Sequence, residues 1–194
     1  MADLKLSNGK LNALQYASLQ NAVRLHFDSV LLAKGRSFAS AFAISVIASE
    51  EFGKAYALAE MDFQARHNKA NLHPDDAKFV RTLLSDHKLK QGWFVSFVFD
   101  PFGPKGIVRR YQNIQNAKNN ALYAGVRRGN HQIVRPFLVS ASKAKQQVRT
   151  VNNALMDAVE GTLNGTQYHE PVADKVFRSR RLLNKLLKAA KAVR

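Results

Sequence analysis

The stretch GRSFASAFAISVIASEEFGKAYALAE, residues 35–60, decides the fold, because its small and apolar residues recur every three or four positions. That spacing predicts one buried face of a helix, which we expect to run from Ser37 as N-cap to about Arg66. Small residues on this face let a neighbouring helix approach closely. The members of the face are Phe38, Ala41, Phe42, Ser45, Ala48, Phe52, Ala55 and Ala59. The segment therefore predicts the centre of a helical bundle.

Helical patterns continue on both sides of this segment. Gly35 ends the helix before it, and Pro74 followed by two aspartates is a good start for a third helix, which we expect to reach about Val98. Ser140 is a suitable N-cap for another helix that ends near Leu163. Helices are predicted over residues 10–34, 37–66, 74–98, 107–120 and 140–163, and a last one over residues 171–194.

The segment ALYAGVRRGNHQIVRPF, residues 121–137, does not fit a helix. Two short β-favouring stretches flank Arg-Arg-Gly-Asn, which predicts a hairpin or an irregular insert. We therefore expect an all-α bundle with one short insert and a basic C-terminal helix. The length of 194 residues favours a single domain over residues 1–194. A resemblance to a known family, described below, implies a core at about residues 10–165 and a separate basic helix after it.

The chain is strongly basic. Its 30 Lys and Arg residues against 14 Asp and Glu residues give a formal net charge of +16, which favours RNA, DNA or an acidic protein as partner. The last helix carries many of these charges beside a strip of leucines and alanines. We expect the strip to pack on the bundle and the charges to attract RNA. Membrane attachment is not expected, because the strip has almost no aromatic anchors.

Several classes of protein are excluded by what the sequence lacks. Without cysteine it can form no disulfide, thiolate nucleophile or cysteine-type zinc site. The first residues contain no apolar signal stretch and the longest apolar run, residues 93–99, is too short to span a bilayer, so we expect a cytoplasmic protein. His67 and His73 lie near two aspartates, but their spacing matches no metal motif, and we expect neither a metal nor a cofactor.

Charged residues interrupt the apolar second helix at ASEEFGKA, residues 48–55. Lys54 follows Glu50 by four positions and Glu51 by three, so either carboxylate can pair with it across a helix turn. Buried charges are costly unless they are paired. Two interpretations stay open: a salt bridge within the helix, and a set of charges that organises a functional site.

The stretch RTLLSDHKLK, residues 81–90, contains the residues best suited to catalysis. On one continuous helix, Arg81 and His87 would lie about 9 Å apart along the axis and about 240° apart around it. Their side chains could converge on one phosphate where the helix is locally distorted or the two groups lean together. Histidine can move a proton at a ribose hydroxyl, and arginine can stabilise the charge that develops on the phosphate. Lys88 and Lys90 would add positive charge. The spacing alone also fits a surface arginine and a half-buried histidine.

Three stretches, in this order, resemble the AbiV family of bacterial abortive-infection proteins. They are GRSFASAFAISVIASEEFGKAYALAE, DHKLK at residues 86–90 and NNALYAGVRRGNHQIVRPF at residues 119–137. AbiV proteins are similar to the HEPN superfamily, which contains many dimeric ribonucleases with an R-x4–6-H motif. The resemblance implies that Arg81 and His87 are catalytic and that Thr82 is the polar residue after the arginine. It also implies that Glu51 and Lys54 belong to a Glu-Glu-x-Gly-Lys element.

Three hypotheses about function follow. The first is a phage-defence toxin, a homodimer that cuts RNA without a metal and stays latent until a phage-encoded protein activates it, with Glu50, Glu51, Lys54, Thr82, Lys88 and Lys90 supporting Arg81 and His87. The second is a non-catalytic module that binds RNA, ribosomes or a phage protein. The third is a helical scaffold. Candidate residues for binding RNA or a partner are Arg127, Arg128, His131, Arg180 and Arg181.

Overall fold

The computed structural model of the protein contains six long or medium helices and one short strand pair in its described part. The structure describes residues 7–67, 74–98, 104–122, 125–126, 133–134, 139–163 and 184–189. The elements are α1 (Asn8–Lys34), α2 (Phe38–His67), α3 (Pro74–Ser85), α4 (His87–Val98), α5 (Pro104–Leu122), β1 (Gly125–Val126), β2 (Ile133–Val134) and α6 (Ala141–Leu163). The all-α prediction is confirmed.

The predicted boundary between the first two helices is correct. The N–H of Gly35 donates to the carbonyl of Leu31 at 2.9 Å and closes the last turn of α1. The reversal itself occurs at Arg36, whose φ of 61° lies in the left-handed region that non-glycine residues rarely adopt. α2 begins directly after Ser37, whose carbonyl accepts from the N–H of Ala41. Three residues thus turn the chain back onto α1.

α2 is the central helix, and α1, α4, α5 and α6 all pack against it. Its predicted face is buried, with Ala41 and Ala48 fully enclosed. Gly53 permits the closest approach, because a Cβ atom at this position would overlap the carbonyl oxygen of Lys90 and crowd the backbone nitrogen of Phe94. The backbone of α4 therefore lies directly against α2 at this glycine.

The predicted third helix is wrong in one respect: it is two helices. α3 ends at Ser85 and α4 begins at His87, with Asp86 between them. The Oδ1 atom of Asp86 accepts from the backbone N–H of Lys88 at 2.7 Å and of Leu89 at 3.2 Å, which is the geometry of an N-cap. The aspartate competes with the continuing helix for these donors, and the chain restarts there.

The main core lies between α1, α2, α4 and α6 and is dominated by apolar side chains with almost no exposure. Phe52 of α2 packs edge-to-face on Phe94 and Phe97 of α4, with ring centroids 6.0 and 4.9 Å away. Leu186 belongs to the same cluster. Burial of side chains of this size contributes about 1.5–3 kcal/mol each, which makes this cluster the main source of stability.

One histidine is enclosed in this core. His26 of α1 is fully buried, and its Nε2 lies 3.0 Å from Oδ1 of Asn152 on α6. Because an amide oxygen only accepts, Nε2 carries the proton. Burial lowers the pKa of His26 from 6.5 to about 4, with the hydrogen bond to Asn152 acting weakly in the opposite direction. The imidazole is therefore neutral at physiological pH.

The insert and the C-terminal segment agree with expectation where they are described. β1 and β2 form an antiparallel pair with Gly125 opposite Val134, which confirms the hairpin. Residues 184–189 are helical, and Leu186 and Ala189 are buried, so the apolar strip does pack on the bundle there. The rest of the predicted helix 171–194 lies outside the described residues. Within the part of the chain that is described, every helix is too short or too polar to cross a membrane.

Candidate active site

A buried carboxylate lies at the centre of the polar cluster. Glu50 is 2% exposed, and its Oε1 accepts from Nζ of Lys118 at 2.6 Å and from Nε2 of Gln115 at 2.8 Å. Its Oε2 lies 2.7 Å from Nδ1 of His87. The ammonium group of Lys118 balances the charge of the carboxylate, and the remaining donors satisfy its oxygens. Such compensation is what allows a charged group to be buried in a helical core.

Three helices supply this cluster. Glu50 comes from α2, His87 from α4, and both Gln115 and Lys118 from α5. The close approach of α4 at Gly53, one turn beyond Glu50 on α2, brings the first turn of α4 within reach of the carboxylate. The cap at Asp86 then fixes the direction of that first turn.

His87 combines a buried anchor with an open side. Its side chain is 61% exposed although Nδ1 contacts a carboxylate that is almost fully buried. With Nδ1–H donating to Glu50, the neutral ring leaves Nε2 as an acceptor. A carboxylate that holds one ring nitrogen fixes the tautomer and stabilises the imidazolium once the other nitrogen takes a proton. The arrangement can therefore work as a general base followed by a general acid.

The remaining charges on α2 and α4 surround this pair. Lys54 contacts Glu51 at 2.7 Å, three residues before it, and both side chains are 14% exposed. Lys90 is 5% exposed and its Nζ donates to the carbonyl of Leu84 at 3.2 Å. Burial lowers the pKa of Lys90, and the attraction of Glu50 opposes this effect. These contacts favour the interpretation that charges organise a site, although Lys54 pairs with Glu51 and not with Glu50.

Arg81 comes from α3, whereas His87 is the first residue of α4. Arg81 is exposed, and the end of α3 and Asp86 separate it from His87. The expectation that one continuous helix carries both residues is therefore wrong, because the cap at Asp86 ends that helix between them. The hydroxyl of Thr82 donates to the carbonyl of Lys78 at 3.0 Å within α3. Lys88 is exposed beside His87.

Sequence reasoning missed three residues that build the site. Gln115 and Lys118 lie on a polar helix, where nothing in the local pattern distinguishes them from solvated residues. They donate hydrogen bonds to Glu50, which lies 65 and 68 positions before them in the sequence. Asp86 did carry a signal, because aspartate is a preferred N-cap residue and precedes the apolar stretch of α4.

The structure does not test the five candidate residues for RNA or partner binding. Arg127, Arg128, His131, Arg180 and Arg181 lie outside the described residues. Among the side chains that are described, no three histidines, aspartates or glutamates are grouped as metal ligands.

Comparison with known proteins gives one match. The model of the AbiV family, a HEPN group, matches residues 10–156, which is well over half of the chain and includes Glu50, His87 and Lys118. No curated protein and no solved structure matches the chain.

Proposed function

The chain belongs to the AbiV family, which indicates an abortive-infection protein of phage defence, and we propose that it acts as an endoribonuclease that needs no metal ion. The observation that carries the proposal is the hydrogen bond from exposed His87 to buried Glu50. A solvated histidine on a structural surface has no need of a carboxylate held by three helices. A histidine that moves protons does, because its tautomer and orientation must be fixed.

The proposed reaction is internal transfer at a ribose-phosphate linkage. Nε2 of His87 takes the proton of a ribose 2′-hydroxyl, and the 2′-oxygen attacks the adjacent phosphorus. The new 2′-O–P bond forms as the bond from phosphorus to the 5′-oxygen breaks, and a protonated histidine supplies the proton to that leaving oxygen. The products are a 2′,3′-cyclic phosphate and a 5′-hydroxyl, so that atoms and protons balance without water or metal.

Arg81 is the proposed phosphate ligand. A guanidinium can hold two phosphate oxygens at once and stabilise the charge of the transition state. We propose that the site is completed by a second copy of the chain, as expected from the similarity of AbiV proteins to dimeric HEPN ribonucleases. In that assembly the two His87 side chains serve as base and acid. The net charge of +16 attracts the RNA.

Cleavage of total RNA in EDTA tests the proposal. We expect fragments that end in 2′,3′-cyclic phosphate, with the activity dependent on a phage-infected lysate if the protein is latent. His87→Ala should abolish cleavage and Glu50→Gln should reduce it by about 10²-fold or more, because the histidine loses its oriented tautomer. Lys34→Ala, which removes an exposed lysine at the end of α1 outside the candidate site, is the control. Cleavage by His87→Ala at the parental rate would refute the proposal.

A non-catalytic binding function is favoured by a different surface. The N-terminal half of α6 carries exposed Lys143 and Arg149 and the partly buried Lys145, and a groove of about 590 Å³ is lined by Lys145 and Arg149 together with Ala141, Ser142 and Gln146. Lys145 and Arg149, four positions apart, lie on the same face of the helix and fit a nucleic acid backbone. This function predicts RNA binding that weakens steeply with salt and that survives His87→Ala.

The two functions are separated by one pair of variants. Lys145→Gln combined with Arg149→Gln should reduce the slope of log Kd against log salt by about 1–2, because two phosphate contacts and the counterions that they release are lost. Under the endoribonuclease proposal, His87→Ala abolishes cleavage, whereas the double variant of Lys145 and Arg149 changes only the affinity for RNA.

A further inference from the structure

A groove opens on the side of α4 that faces away from α2, and the two residues that flank His87 in the chain, Asp86 and Lys88, line it. Its volume is about 420 Å³, which lies in the range of sites for small organic ligands. The residues that line it come from α4 and α5, with Asp86 at the junction that precedes them. They are Asp86, Lys88, Leu89, Gly92, Trp93, Ser96, Ile107 and Tyr111. Lys88, directly after His87, thus belongs to both the candidate site and the groove.

Two aromatic rings give the groove the character of a stacking site. Trp93 and Tyr111 both line it and both are half-buried. Trp93 is held from within the protein by edge-to-face contacts with Tyr56 and Phe79, at ring-centroid distances of 5.8 and 6.3 Å. A ring that is already fixed loses little side-chain entropy when a ligand stacks on it.

Gly92 explains why the groove is open. A Cβ atom built on this residue would meet no other atom within 4 Å, in contrast to Gly53 of α2, which packs directly against the backbone of α4. Glycine in a helix interior costs about 1 kcal/mol relative to alanine, and no packing contact at Gly92 requires it. The missing side chain leaves space between the tryptophan and the first turn of α4.

We propose that this groove binds one nucleobase of a single-stranded RNA whose backbone lies at His87. This inference rests on the proposed endoribonuclease function and names its substrate class. Apolar and aromatic walls suit the face of a base, whereas Lys88 at the rim suits the phosphate that follows it. Asp86 also lines the groove, and its Oδ1 accepts two backbone hydrogen bonds at the N-terminus of α4, whose positive end offsets part of the carboxylate charge. A duplex is excluded, since its bases are stacked on each other.

The single tryptophan of the sequence makes the groove directly measurable. A 2′-O-methyl oligonucleotide of about ten nucleotides, which cannot be cut by 2′-hydroxyl attack, is titrated into the protein while the fluorescence of Trp93 is followed. We expect saturable quenching. Gly92→Leu should fill the groove without harming the helix and weaken binding at least about 10-fold, the size of one lost stacked base. Gly9→Leu is the matched control, because Gly9 is also helical with no atom within 4 Å of a Cβ.

An abasic oligonucleotide of the same length tests the role of the base without any variant. It should bind more weakly and leave the fluorescence unchanged. Equal quenching by the abasic chain, unchanged affinity of Gly92→Leu, or no binding by the parent would each overturn the proposal. So would a change of oligomeric state in Gly92→Leu, which would make the groove a contact between subunits. If the protein cleaves RNA but the groove binds no base, the proposed base-binding role is refuted and the endoribonuclease proposal stands. If the groove binds a base but the protein cleaves no RNA, the endoribonuclease proposal is refuted.

Discussion

His26 should make the stability of the protein fall when the pH is lowered from 7.5 to 5, and His26→Gln should remove that fall. The imidazole is fully buried between α1 and α6, and it donates from Nε2 to Asn152. Glutamine keeps a donor for the same amide oxygen but cannot take a proton. The substitution therefore isolates the titration of His26 from the packing around it.

The magnitude follows from the two pKa values of His26, 6.5 when the chain is unfolded and about 4 in the folded protein. Above pH 6.5 the ring is neutral in both states, so its titration contributes nothing. As the pH falls below 6.5 the unfolded chain binds the proton first, and the native state loses free energy until the pH reaches about 4. At pH 5 this amounts to about 2 kcal/mol, and the full difference is about 3 kcal/mol.

Urea unfolding at pH 7.5 and at pH 5 measures this effect. The free energy of unfolding of the parent should fall by about 2 kcal/mol more than that of His26→Gln. Other titrating groups contribute to both proteins and cancel in the comparison. At pH 7.5 the variant reports the packing cost of the substitution by itself. An equal fall in both proteins would refute the reasoning and would mean that water or another acceptor stabilises protonated His26 in the folded state.

Three further predictions concern the helices that carry the site. Glu50→Leu should lower the free energy of unfolding, measured in urea, by about 3–5 kcal/mol because Lys118 stays buried and unpaired. Adding Lys118→Met should recover most of this loss. If it does not, the lost ion pair is not the cause. Gly53→Ala should lower the free energy of unfolding by more than about 2 kcal/mol in the same assay, because the added Cβ would overlap the backbone of α4. Gly92→Ala should leave the free energy of unfolding unchanged or raise it. Asp86→Ala should cost about 1 kcal/mol through the lost N-cap of α4 and Asp86→Ser should restore most of it, so equal losses in both variants would contradict the cap.

The sequence predicted the helices wherever an apolar stripe and a terminating residue agreed. α1 ends at Gly35 and α6 follows Ser140, because these residues act locally on the backbone. The break at Asp86 was missed since the residues on both sides keep an apolar pattern that fits one helix as well as two. Hydrophobic periodicity reports burial and is insensitive to a cap that shifts the helix axis.

The candidate site was predicted only in part, for a different reason. Glu50 and His87 could be chosen as residues suited to chemistry, but their contact joins positions 37 apart. Spacing within one helix allowed Lys54 to pair with Glu50 or Glu51, and Glu51 is the observed partner. Glu50 instead pairs with Lys118 from α5. Contacts between helices depend on how the bundle packs, and a single sequence contains no direct signal for them.

The order in which the helices are synthesised gives the Glu50 cluster a consequence for the cell that makes the protein. His87 leaves the ribosome well before Lys118 and Gln115, so the growing chain carries the histidine for a period without the helix that completes its support. The hydrogen bonds that hold the Glu50 carboxylate require the docking of α5, which supplies Gln115 and Lys118. Under the endoribonuclease proposal, cleavage activity would therefore appear only after α5 has been synthesised and has docked.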